Sequence, residues 1–254
     1  MNIHSLIKTA FYKAGYSVKR IRPTSRAPAA SLERENGGTP DVMRLLHKTN
    51  PYDGFDFQAV SYDAHGWGGE SPAFRELLSQ ARPRLIVEVG TWKGASALEM
   101  ARITRELDLT TQIVCIDTWL GALEFWTDQE DPKRYLSLQL RHGYPTAYYQ
   151  FLANVCHQGF QDRIIPFPQT ASIAALWFRY YGVTADVIYL DASHEEEDVY
   201  QDLCNYWELV SERGILFGDD YAWDGVRLAV DRFAKKDGSR VAFIADKWVL
   251  RKSA

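Results

Sequence analysis

Residues 186–221 read DVIYLDASHEEEDVYQDLCNYWELVSERGILFGDDY. Two apolar runs, Val187 to Leu190 and Ile215 to Phe217, each run into carboxylates: Asp191 after the first, Asp219 and Asp220 after the second. The polar, periodic segment between them predicts a helix over 195–211, with Glu195, Glu196 and Glu197 as an acidic first turn that suits the helix dipole. Strand, helix and strand in that order make two neighbouring parallel strands joined by a right-handed crossover. The three carboxylates and His194, in the first turn of the helix, then meet at one edge of a sheet. Like charges gathered there are costly unless a cation sits among them. The plainer reading is a set of helix caps and solvated carboxylates.

Outward from this stretch the alternation continues in both directions. Leu85 to Val89, Gln112 to Ile116 and Arg163 to Phe167 read as strands, and Pro166 inside the last argues for an edge position. Helices are expected at 72–81 (opened by the Ser71-Pro72 cap), 94–104, 132–139, 145–157, 172–180 and 223–235. Residues 240–245 and 247–250 close the chain as two short strands. Continuous apolar strands alternating with helices imply an α/β fold with a doubly wound, mostly parallel sheet. Ligands bind such sheets at the carboxyl ends of the strands.

That edge carries a second constellation, Glu88-Val-Gly90-Thr91-Trp-Lys-Gly94-Ala-Ser96. Gly90 permits a tight turn, and Gly94 lets backbone approach a ligand before a helix N-terminus that favours an anionic group. A plain strand–helix turn reads the same way, and the spacing is not that of the dinucleotide motif. Asp117 ends the next strand, where an acid accepts both hydroxyls of a ribose; an acid there is as often a cap. Trp119 packs either on an adenosine or in the core. Residues 118–162 form an aromatic-rich insert, placed to shape an acceptor pocket or to make a core or dimer contact.

ExGxxxG, an acid ending the second strand, and acids ending the fourth and fifth together resemble class I S-adenosylmethionine-dependent methyltransferases. EVGTWKGAS is similar to the first motif of the catechol O-methyltransferase group, and DASH…GDDY looks closer to the metal-dependent sugar and macrolide O-methyltransferases. The resemblance implies a Rossmann-like sheet with a closing antiparallel strand pair, over a domain at 41–254. It implies S-adenosylmethionine held by Glu88, Gly90, Thr91, Gly94, Ser96, Asp117, Trp119, Gln169, Ser172 and Asp191. It implies Mg²⁺ or another hard divalent cation on Asp191, Asp219 and Asp220, with His194 as general base where the catechol enzymes carry a lysine. Gly66-Trp67-Gly68 would close over the methionine end. The expected acceptor is a hydroxyl of a saccharide or glycosylated small molecule. A phenol or catechol acceptor, or a scaffold that binds the cofactor without turnover, is the alternative. Oxidation finds no support, since no two-His-one-carboxylate iron pattern is visible.

Composition sets the remaining bounds. The chain has 254 residues and a net charge of −4, which does not suggest nucleic acid as the main partner. Cys115, Cys156 and Cys204 lie far apart in apolar contexts and read as thiols of a cytoplasmic protein. No apolar run approaches the length of a membrane span, and the N-terminus lacks the continuous apolar region of a signal peptide. Residues 1–21 predict a basic amphipathic helix, joined by a Pro/Ala/Ser/Gly-rich linker at 22–40. Its basic face suits either the inner face of an anionic membrane, as a peripheral contact through residues 1–26, or the protein's own body or a second subunit in a homo-oligomer.

Overall fold

Strand β1 (Leu85–Val89) sits near the middle of a seven-stranded sheet whose order is β3-β2-β1-β4-β5-β7-β6. The other strands are β2 (Gln112–Asp117), β3 (Ile164–Pro168), β4 (Ala185–Leu190), β5 (Val210–Gly218), β6 (Ala242–Ile244) and β7 (Lys247–Arg251). The computed structural model describes residues 41–66, 69–127 and 132–253. The expected helix at 1–21 and linker at 22–40 lie outside the described residues, as do Trp67 and Gly68. Strands β1 to β5 pair in parallel, and β7 runs antiparallel to both β5 and β6. This is the doubly wound sheet that the alternation predicts, with the closing antiparallel pair that the resemblance implies.

The helices are α1 (Val42–Leu46), α2 (Pro72–Ala81), α3 (Ala95–Glu106), α4 (Leu123–Thr127), α5 (Pro132–Ser137), α6 (Ala147–Gln158), α7 (Ala171–Tyr181), α8 (Glu196–Trp207) and α9 (Asp224–Asp237). Helix α2 starts as Ser71-Pro72 predicts, with the Ser71 hydroxyl accepting from the Ala73 amide. Helix α8 is shorter than expected: it ends at Trp207, and β5 already begins at Val210. His194 also stands outside it, one residue before the N-cap Glu195.

Apolar packing on both faces holds the sheet. In β1, Leu85, Val87 and Val89 face one core cluster and Ile86 the other, the period-2 alternation of a strand buried on both sides. Pro166 lies on edge strand β3, paired in register with Cys115. The ladder to β2 uses Arg163, whose carbonyl accepts from the Ile113 amide at 2.8 Å. By alternation the missing N–H of Pro166 points outward and costs no ladder bond. The outward carbonyls of Ile164 and Pro166 accept from Tyr52 Oη at 3.0 Å and His47 Nε2 at 2.7 Å. The exposed edge is thereby covered.

Candidate active site

The turn after β1 is built for close approach. Gly90 has φ +83°, and a Cβ there would lie 2.0 Å from the Asp191 carbonyl oxygen. Only glycine fits where the β1 and β4 ends converge. Gly94, with φ +89°, is the N-cap of α3. Glu88 lies beneath the loop, not in the cavity. It is fully buried, and its carboxylate accepts from the hydroxyls of Thr91 and Ser96. Burial pushes its carboxyl up to about 7. Glu88 therefore shapes the loop, while Gly90, Thr91 and Ser96 line the cavity it bounds.

Asp117 also serves the loop. Its Oδ2 accepts from the amides of Thr91 at 3.0 Å and Trp92 at 2.8 Å, and its Oδ1 from the Trp119 amide at 2.7 Å. It still lines the cavity, so the carboxylate that holds the loop also faces a bound ligand. Trp119 corrects an expectation. With φ 54° the chain turns its indole inward, where it is 2% exposed and packs on Phe151 and Tyr148. Its Nε1 donates to the Trp92 carbonyl at 2.7 Å. It braces the glycine loop from the core and does not line the cavity.

At the neighbouring strand ends, Asp191, His194 and Asp220 each offer a ligand atom, all within 4.8 Å of one another. His194 Nε2 lies 2.9 Å from Asp220 Oδ2, and its ring stacks on Trp223 at 4.6 Å between centroids. The Asp220 carboxylate raises the His194 pKa. Burial, followed by the charges of Asp219 and Asp220, pushes the Asp191 carboxyl up to about 7. Asp220 itself takes φ 58°, a left-handed conformation that is strained for a residue with a side chain. Gly225, opening α9, lets that helix press on the His194 backbone, since a Cβ would sit 2.1 Å from the His194 carbonyl oxygen.

Asp219 is placed differently from its two partners. Its Oδ2 accepts from Lys247 Nζ, and its Oδ1 accepts from the Asp220 amide at 2.8 Å. Tyr189 Oη lies between acids, 3.0 Å from Asp191 Oδ2 and 3.5 Å from Asp219 Oδ2. Lys247, fully buried, also pairs with Asp246 at 2.8 Å. The sequence reading missed Lys247, although a signal was there. Period-2 alternation in β7 puts Lys247 on the face of Val249, and a lysine on a buried face needs a carboxylate partner.

The glycine loop, Asp117, Asp191, His194 and Asp220 border a cavity of about 980 Å³ at the carboxyl ends of the strands, and Asp219, Tyr189 and Lys247 lie behind it. The β1 loop and the first turn of α3 form one wall, and Gln169 to Ser172 after β3 form another. Gly66 and Phe125 add to the lining, and His194, Asp220 and Trp223 stand at its border. The insert thus divides: Leu123, Glu124, Phe125 and Arg134 face the cavity, Phe151 joins the core, and Trp126 and Tyr135 are exposed. Lys93, almost buried, donates to Asp63 Oδ2 at 2.6 Å, and Asn154 Nδ2 donates to the carbonyls of Asp63 and Lys93. That contact ties the segment before Gly66 to the glycine loop.

Fit to the two expected groups follows from the donor sets. The cavity is of cofactor size, with backbone donors at the α3 N-terminus and acids toward β2 and β4. The carboxylates of Asp191 and Asp220, with the Asp191 carboxyl pushed up to about 7 by burial and then by its acidic neighbours, suit a divalent cation that retains waters, and His194 stands beside them.

A doubly wound sheet of this strand order, with a glycine loop after β1 and acids after β2, β4 and β5, defines the class I methyltransferase fold. Residues 87–221 match the model of the methyltransferase domain family, and the chain belongs to that family of class I S-adenosylmethionine-dependent methyltransferases. Among solved structures it is similar to the O-methyltransferase NovP, at 20% identity over 72% of this chain and 78% of that one, with a TM-score of 0.54. An O-methyltransferase from Bacillus cereus in complex with S-adenosylhomocysteine matches at 14% identity over 78% and 87%, with a TM-score of 0.52. The TDP-rhamnose 3′-O-methyltransferase CalS11 matches at 18% identity over 70% and 77%, with a TM-score of 0.51. No curated protein matches the chain significantly in sequence.

Proposed function

We propose that the chain is a divalent-cation-dependent O-methyltransferase that moves a methyl group from S-adenosylmethionine to a hydroxyl of a saccharide or glycosylated small molecule. The observation that carries this reading is the convergence of Asp191, His194 and Asp220 beside the cavity bounded by the glycine loop. S-adenosylmethionine supplies the electrophilic methyl. A divalent cation on the acids supplies Lewis acidity that lowers the pKa of an acceptor hydroxyl.

The chain's own residues do the rest. The first-turn amides of α3 receive the donor's carboxylate. Gly90 admits the donor close to the β1 end, and Asp117 fixes the loop and faces the ribose from the cavity wall. His194 takes the hydroxyl proton at a ring nitrogen as the O–C bond forms and the C–S bond breaks; Asp220 stands beside the resulting imidazolium. Trp223, Trp126 and Tyr135 present exposed aromatic faces of the kind that stack on sugar rings. The similarity to the TDP-rhamnose 3′-O-methyltransferase CalS11 favours the same acceptor class.

The test is transfer of labelled methyl to nucleotide-sugar acceptors. Chelated protein should be inactive and Mg²⁺ should restore it; Asp191→Asn and Asp220→Asn should not respond to Mg²⁺. His194→Ala should lose about 100- to 10,000-fold in kcat with S-adenosylhomocysteine binding retained. Full activity in chelated protein would remove the cation from the account.

A further inference from the structure

The insert after β2 brings to the cavity a carboxylate that the reaction does not use. Gly121 takes φ +81°, and a Cβ there would lie 2.6 Å from Leu138 Cδ2 and 3.2 Å from Phe125 Cβ. The turn into α4 is therefore pressed against Leu138, which is buried just after α5. Phe125 packs on Trp92 of the glycine loop, with ring centroids 4.6 Å apart. Trp126 Nε1 donates to the Leu120 carbonyl at 2.9 Å, and its ring meets Tyr135 of α5 edge-on at 6.2 Å. These contacts fix α4 against both the glycine loop and α5. Leu123, Glu124 and Phe125, three consecutive residues, line the cavity as a result.

Glu124 is half-buried, and among the described residues it makes no hydrogen bond or ion pair. It is not among the three residues whose ligand atoms gather within 4.8 Å of one another. Yet it lies within electrostatic reach of the imidazole: the Asp220 hydrogen bond raises the His194 pKa, and the Glu124 charge adds to that rise. His194 marks the side of the cavity on which the acceptor gives up its proton, so Glu124 faces the acceptor. A carboxylate only accepts hydrogen bonds. A ligand that fills this wall strips water from it and must supply a donor in exchange. The flanking Leu123 and Phe125 are apolar, so the wall sets one acceptor among apolar surfaces. A sugar ring presents the complement, hydroxyl donors around its edge and C–H groups on its faces.

We propose that Glu124 is a specificity-determining residue for the acceptor: it accepts a hydrogen bond from a ring hydroxyl other than the one methylated, and so selects rings that carry a second free hydroxyl. This rests on reading the cavity as the site of methyl transfer to a saccharide. A site built to hydrogen-bond a hydroxyl rejects the analogue that lacks it.

The experiment crosses a change in the protein with a change in the acceptor. Among nucleotide sugars, the one that wild type methylates best is compared with its monodeoxy analogues, in wild type, Glu124→Gln and Glu124→Ala. Loss of one particular hydroxyl should cost wild type about ten- to hundredfold in kcat/KM, the ratio of one hydrogen bond to a charged group. Glu124→Ala should lose a similar factor on the intact sugar and nothing further on that deoxy analogue. Glu124→Gln, whose amide oxygen still accepts, should recover part of the loss. Thermal midpoints report folding, and calorimetric binding of S-adenosylhomocysteine should be unchanged in both variants. Wild-type rates in Glu124→Ala, losses that multiply at every hydroxyl, or weakened S-adenosylhomocysteine binding overturn this inference alone. Transfer by wild type to none of the nucleotide sugars overturns the acceptor reading and this inference with it.

Discussion

At Gly90 the backbone allows no side chain. A Cβ would overlap the Asp191 carbonyl oxygen, and φ +83° adds strain for any other residue. Gly90→Ala should therefore cost more than about 2 kcal/mol of stability and weaken S-adenosylhomocysteine binding, whereas Gly143→Ala, with φ +81° but open space around it, should cost about 1 kcal/mol. Equal losses in chemical denaturation would contradict this. Glu88 makes a pH prediction. Its folded pKa of about 7 lies above the ordinary value of 4.5, so the folded state binds the proton more tightly. That stabilisation is complete below about pH 4.5 and lost as pH rises through 7, amounting to about 3 kcal/mol. In Glu88→Gln the loss should vanish, so the variant gains on wild type in thermal midpoint from pH 5 to pH 8; parallel curves would contradict it. The glycines were legible in the sequence because their role follows from lacking a side chain. The direction of a side chain was not. Glu88 in β1 and Trp119 after β2 both adjoin the glycine loop, yet strand alternation and a left-handed turn point both inward.

Strands and helices were legible where local chemistry marks their ends. Leu85–Val89 and Pro72–Ala81 fall where the apolar run and the Ser-Pro cap put them. The end of α8 was not, since Glu208 to Val210 continues a plausible helical pattern and no glycine or proline interrupts it. Pairing with β4, which joins Ala185 to Val210, decides the matter. The closing hairpin of β6 and β7 does more than end the sheet. It brings Lys247, fully buried, to Asp219, whose side chain is 16% exposed. Removing one partner of such a pair leaves the other charge uncompensated. Lys247→Met should cost about 3–5 kcal/mol, and Asp219→Asn in the same background should recover part of it. Urea denaturation of the two variants measures this, and a Lys247→Met protein as stable as wild type would show that the pair is not what holds Asp219.

At the scale of the whole molecule, the strand–helix alternation carried the sheet, and the sheet carried the site. Acids scattered from Asp117 to Asp220 in sequence meet because parallel strands end at one edge. What the sequence could not supply was the division of labour among them, which depends on partners distant in the chain: Asp117 with the Thr91 and Trp92 amides, Asp219 with Lys247, and Asp220 with His194. The central claim is that a divalent cation and a methyl donor share this cavity. Its most direct measurement is anomalous diffraction from crystals grown with S-adenosylhomocysteine and Mn²⁺. A peak at a coordination distance of about 2–2.5 Å from Asp191 and Asp220, with the homocysteine sulfur beside it, is the expected result. Bound S-adenosylhomocysteine with no peak at those carboxylates, or a peak elsewhere, would contradict it.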